Sequence, residues 1–253
     1  MRVTNLFFVL LIINACGTLN PQQAKTKPVS HQLFDELLKR HVTDEGWVNY
    51  RGFMADSGQL TQYIELLSNN APNDSNWSED DQMAYWINLY NAATIDLVLQ
   101  YYPVKSIKDI GSSIQVPFVN TPWDIRFIEI AGEKYDLNNI EHNILRKKWE
   151  EPRVHFAINC ASYSCPKLRT EAYEGDLLQR QLDEQARAFI NDDSRNDITE
   201  AGASLSKIFD WFGGDFTKKM PLRNFINQYA DVKISEKTEI TYKDYNWKLN
   251  DVH

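Results

Sequence analysis

Residues 78–101 read S-E-D-D-Q-M-A-Y-W-I-N-L-Y-N-A-A-T-I-D-L-V-L-Q-Y, and the fold turns on how this run is wound. Met83, Ile87, Tyr90, Thr94, Leu97 and Tyr101 recur at helical spacing, and Ala84, Asn91, Ile95 and Val98 widen the stripe. Ser78 is a capping residue, and Glu79, Asp80 and Asp81 complement the positive end of a helix dipole. The pattern predicts a helix from about Glu79 to Tyr101. An apolar surface this wide belongs to a helix at the centre of a molecule. Asn88 and Asn91 stand within or beside that surface, where an unpaired amide would cost on the order of 1–3 kcal/mol. They are either structural clamps on a neighbouring loop or amides that line a pocket.

Working outward, Pro103 stops the helix. Upstream, Ser30 can cap a helix carrying Leu33, Phe34, Leu37 and Leu38, and Glu45-Gly46 turns the chain into an extended Trp47–Tyr50. A further helix is expected from about Ser57 to Asn69. Downstream, Ile125–Ile130 and Lys134–Asp136 suggest a hairpin around Gly132. Asp136 or Asn138 then opens a helix to about Trp149, with Leu137, Ile140 and Ile144 as its core stripe. Arg146 follows His142 at i+4, on the same face, where its charge favours a neutral imidazole. A helix over 177–190, a strand over 204–209, a helix from Pro221 and an aromatic terminal strand, Tyr245–Asn250, complete the chain. Helices come mostly first and strands mostly later. The expected fold is α+β, with the long central helix packed with other helices on a mainly antiparallel sheet.

The chemistry is concentrated in residues 153–166, R-V-H-F-A-I-N-C-A-S-Y-S-C-P. Val154, Phe156 and Ile158 alternate with His155, Ala157 and Asn159, the period of a half-buried strand, which then enters a turn closed by Pro166. In a straight strand Cys160 shares a face with Phe156 and Ile158, opposite His155. His142 is therefore the better candidate for a base acting with Cys160.

The 253 residues, 43% of them hydrophobic, suffice for a sizeable core, here assigned to one domain over residues 30–253. A net charge of −8 without any long basic cluster argues against a nucleic-acid partner. At the N-terminus, Arg2 precedes the apolar run Leu6–Ile13 and then Ala15-Cys16. This has the anatomy of a secretory signal, and it resembles a bacterial lipobox. Residues 1–15 are then a signal peptide, Cys16 is lipidated, and residues 16–29 form a tether. Gly17, in place of Asp, resembles the outer-membrane sorting case. The expected setting is the bacterial cell envelope, with the protein facing the periplasm and the membrane as its partner through Cys16. An oxidising compartment would leave Cys160 and Cys165 as a pair, read most simply as a disulfide. A reactive thiol or a metal site are the other readings.

Several separated motifs carry a family resemblance: W-I-N-L-Y-N-A at 86–92, I-E-H-N-I-L-R at 140–146, H-F-A-I-N-C-A at 155–161, S-C-P at 164–166 and Y-N-W-K-L-N at 245–250. Together they resemble domain-of-unknown-function family 547, over roughly Gly46 to Asn250. Trp47-Val48-Asn49-Tyr50 is similar to that family's G-x-V-D-Y element, with Asn49 in place of the acid. The resemblance brings no established activity.

Three functional readings follow. The first is a thiol-dependent hydrolase or acyl transferase, with Cys160 as nucleophile, His142 or His155 as base, and Asn88 or Asn91 as orienting amides. Tyr90, Glu141 and Arg146 would then border the pocket, and Cys165 would be structural or redox-active. Cys, His and Asn beside a long helix are reminiscent of papain- and transglutaminase-like folds, although in those the nucleophile opens the central helix. The second reading is a non-catalytic envelope binding protein stapled by Cys160–Cys165, taking a small molecule or peptide. The third places zinc among His142, His155, Cys160 and Cys165. No cofactor is expected.

Overall fold

The computed structural model describes residues 26–111 and 121–252. The expected signal peptide, Cys16 and the tether up to residue 25 lie outside the described residues. The last part of that tether is packed on the domain: Thr26 donates to the Ala71 carbonyl at 2.6 Å and accepts from Asn73.

Three helices, α1 (Gln32–His41), α2 (Tyr50–Ala55) and α3 (Ser57–Asn69), precede α4 (Glu79–Tyr101). A capping box fixes where α4 starts, since Ser78 Oγ accepts from the Asp81 N–H and the Asp81 carboxylate accepts from the Ser78 N–H. Every residue from Gln82 to Ile95 is buried. Helices α2 and α3 contact α4, as does the segment 139–145, and Asn91 of α4 bonds to Ala157 and Asn159. Asn49 caps α2 by accepting from Gly52 N–H, a bond that an Asp at this position would also make.

Strands β1 (Ile128–Ile130) and β2 (Glu133–Tyr135) form the expected hairpin, with Ile128 opposite Tyr135. Its turn residues Ala131 and Gly132 have φ of 52° and 84°, the left-handed pair that a two-residue hairpin loop requires. Residues Asn139–Leu145 then wind as a π-helix, continued by α5 (Arg146–Lys148). Asp136 Oδ1 accepts from the Asn139 N–H at 2.7 Å and starts this segment.

The expected strand at 153–159 is instead a short helix, α6 (Val154–Ala157), all four residues of which are buried. Val154 and Ala157 enter the core around α4, whereas Phe156 enters a second core. With both sides buried, alternation no longer separates strand from helix. Helix α7 (Leu178–Ile190) also bridges the two cores, contributing Leu178 and Leu182 to one and Ala186, Phe189 and Ile190 to the other.

The second core is closed by β3 (Asp197–Ile198), β4 (Gly202–Leu205), α8 (Ile208–Trp211), α9 (Gly213–Phe216), α10 (Leu222–Tyr229) and β5 (Glu239–Tyr242). The strand expected over 204–209 ends at Leu205. Strand β4 pairs antiparallel with β3 and parallel with β5. The fold is mixed α+β and mostly helical, and no large sheet underlies α4 among the described residues. Strands of two to four residues are too short to form such a layer. The terminal stretch from Tyr245 is likewise not one strand. It pairs in turn with Ser106, Ser162 and Val48, and so stitches three segments together.

Candidate functional site

The turn after α6 is built by Asn159. Its Oδ1 accepts from Ala161 N–H at 2.8 Å, and its Nδ2 donates to the Pro166 carbonyl at 2.7 Å. Ala161 takes a left-handed backbone (φ 59°), which folds the chain back on itself. The α-carbons of Cys160 and Cys165 thereby come to 6.3 Å, and the two sulfurs form a disulfide. Tyr245 Oη accepts from Ser162 Oγ at 2.9 Å and lies 3.4 Å from each sulfur.

Asn88 and Asn91 are clamps on backbone, not pocket amides. Asn88 donates to the Tyr173 carbonyl at 2.8 Å and accepts from the Tyr173 N–H at 2.9 Å. Asn91 donates to the Ala157 carbonyl at 3.0 Å and accepts from the Asn159 N–H at 2.8 Å. Each amide is buried, engages backbone through both its oxygen and its nitrogen, and does not line the cavity that Cys160 and Cys165 border, so neither is placed to meet an oxyanion there. Their work is to fix α6 and its turn onto α4.

His155 is buried, with its ring stacked on Phe212 at 3.9 Å between centroids and its Nε2 2.7 Å from Asp215 Oδ2. Arg146 grips the same carboxylate twice, from Nε at 2.6 Å and Nη2 at 3.1 Å. The bond from His155, reinforced by Arg146, holds the Asp215 carboxyl well below the usual range. Asp215 is therefore ionised, and His155 Nε2 carries the hydrogen. Burial keeps His155 neutral despite the pull of Asp215. Arg146 also reaches His142 Nδ1 at 2.9 Å. Burial and then the Arg146 charge lower the His142 pKa. Burial pushes the Glu141 carboxyl up to about 7, against the pull of Arg146; its Oε2 lies 3.5 Å from Tyr90 Oη.

These parts border one cavity of about 200 Å³. Tyr90, Glu141, His142, His155, Cys160 and Cys165 line it, as do the rings of Trp123, Trp211, Phe212, Tyr245 and Trp247. Of the residues expected to meet there, Asn88 and Asn91 do not line it. Arg146 borders a smaller neighbouring hollow with Asp215. The direct Cys160–His155 opposition inferred from strand parity does not arise, because α6 is helical and both residues border the cavity.

Sequence reasoning gave no role to Asp215 or to the aromatic walls. The only signal was a run of rings and an acid around Gly213-Gly214, together with Tyr245 and Trp247 in the terminal motif. Among the described residues no three His, Cys, Asp or Glu side chains are placed to hold a metal ion, and both candidate sulfur ligands are tied in the disulfide.

No curated protein and no solved structure matches this chain. A family match ends at residue 190, so the aromatic walls from Trp211 onward and Asp215 lie beyond it. Residues 75–190, which carry α4, the π-helical segment, the disulfide turn and α7, match the family described as Protein of unknown function, DUF547, and the chain therefore contains a domain of that family.

Proposed function

We propose that the protein is a ligand-binding module of the bacterial cell envelope, anchored through a lipidated Cys16, whose stapled aromatic cleft takes a small molecule. The observation that carries this reading is the Cys160–Cys165 disulfide in the cleft wall. An oxidised sulfur is not a nucleophile, since attack requires the thiolate. A concave, largely aromatic pocket with few polar groups is the usual form of a small-molecule site. The polar groups present are suited to holding a ligand. His142 offers one N–H, and Glu141 offers a carboxyl whose charge is adjustable near neutral pH. The Leu6–Ile13 run before Cys16 supports envelope targeting, and the disulfide suits an oxidising compartment. From the papain and transglutaminase layout the reading keeps only a long helix beside a Cys/His turn.

The test is alkylation of protein purified without reductant, followed by mass spectrometry. The binding reading expects Cys160 and Cys165 to take no iodoacetamide until they are reduced. Immediate labelling of Cys160 at neutral pH would return the thiol-enzyme reading to first place.

A further inference from the structure

The cleft combines two features that select one ligand chemistry. Its walls carry aromatic rings packed in a continuous strip. Trp123 lies 5.6 Å from Trp247, Trp247 lies 4.5 Å from Tyr245, and Tyr245 lies 4.8 Å from Trp211, between centroids. Trp211 is 45% exposed, so the strip opens to solvent. The second feature is charge. Glu141 brings a carboxyl to the lining, whereas no lysine or arginine is among the described residues that line the cavity. Resting on the binding reading above, we propose that the cleft is an aromatic cage for an organic ammonium ion whose positive charge is met by Glu141.

Ring faces attract cations through their quadrupole, and the attraction strengthens where water is excluded. Two rings of this cleft already hold cations of the chain itself. Lys108 Nζ lies 4.4 Å from the Trp247 centroid, and the Arg146 guanidinium lies 5.0 Å from that of Phe212. Trp211 stacks on Trp247 at 5.7 Å between centroids, so its exposed side, together with the cavity-lining sides of Trp123 and Tyr245, is what the cleft offers a ligand. The groups that face Glu141 are Tyr90 from α4, Tyr245 from the terminal segment, Asp215 from α9, and His142 and Arg146 from its own segment. Arg146 spends its charge on Asp215 in two bonds, and His142 is neutral, so neither neutralises Glu141 outright. An incoming ammonium would take that role and favour the ionised carboxylate. The overall charge of −8 also draws cations toward the protein.

Quenching of tryptophan fluorescence in the full-length protein tests this with three probes: choline, its neutral isostere 3,3-dimethylbutan-1-ol, and a neutral phenyl glycoside. Choline should bind about tenfold or more tightly than the isostere. With Glu141 titrating near 7, choline should bind more tightly at pH 8 than at pH 5.5. Glu141→Gln should abolish that pH difference while circular dichroism stays unchanged, and Trp211→Ala should weaken choline about tenfold. Equal binding of choline and isostere, or a pH difference that survives Glu141→Gln, overturns the proposal. If the glycoside binds through Trp211 and choline does not, the ammonium cage falls and the binding reading stands. If none of the three binds, the cage is overturned and the binding reading is weakened with it.

Discussion

Arg146 Nη1 lies 2.9 Å from His142 Nδ1, and this contact determines what His142 can do. A guanidinium only donates, so Nδ1 must hold the accepting lone pair and the imidazole proton sits on Nε2. While that contact stands, the nitrogen left for the cleft is a donor. The sequence pointed to His142 as the base for Cys160; the geometry makes it a hydrogen-bond donor to whatever enters.

Nitrogen-15 NMR of the histidine rings should therefore show His142 as the neutral Nε2–H tautomer at pH 7, with protonation only below the ordinary value of 6.5. Arg146→Leu should move the titration up toward 6.5. A His142 already protonated at pH 7 would refute the tautomer assignment.

Asn91→Ala would leave the Ala157 carbonyl and the Asn159 N–H buried without their partner. Each orphaned group costs about 1–3 kcal/mol, so urea denaturation should show a loss of roughly 2–6 kcal/mol. A loss below about 1 kcal/mol would mean that the turn is held by something else.

Glu141 sets a pH dependence with a definite sign. Its folded pKa, about 7, lies above the unfolded value of 4.5, so the native state binds the extra proton between those values. Its contribution to stability is present at low pH and is lost as pH rises through 7. Glu141→Gln should accordingly gain stability relative to the parent on going from pH 5 to pH 8, by up to about 3 kcal/mol. An identical difference at both pH values would show that the carboxyl is not raised.

The disulfide closes a short loop, so its effect on the unfolded chain is small. Replacing both Cys160 and Cys165 by Ser should cost about 2 kcal/mol and leave the fold intact. Outright unfolding of the double variant would give the staple a larger structural role than this.

The helical half of the fold was legible because its signals are local. Ser78 with Asp81 marks the start of α4, and Gly132 marks the hairpin. Residues 154–157 misled because Val154 and Phe156 are buried in different cores, and nothing in a linear pattern distinguishes two cores from one face. The Asn88 and Asn91 clamps were visible as polar residues on an apolar helix, but their partners, Tyr173 and Ala157, lie 85 and 66 residues away. Asp215 joins the site only because α9 packs against α6, a juxtaposition set by the second core. Arg146 and His142, four residues apart on one segment, were readable together.

The central claim is that the aromatic cleft is a binding site, and a side-by-side ligand screen of the parent and Trp211→Ala tests it most directly. Calorimetry against a chemically varied set of small cations, glycosides and aromatic acids should find at least one compound that saturates at one site per chain. Its affinity should fall about tenfold in Trp211→Ala, the loss expected from removing one ring wall. Saturable binding that is identical in the two proteins, or no binding by any class, would contradict the account.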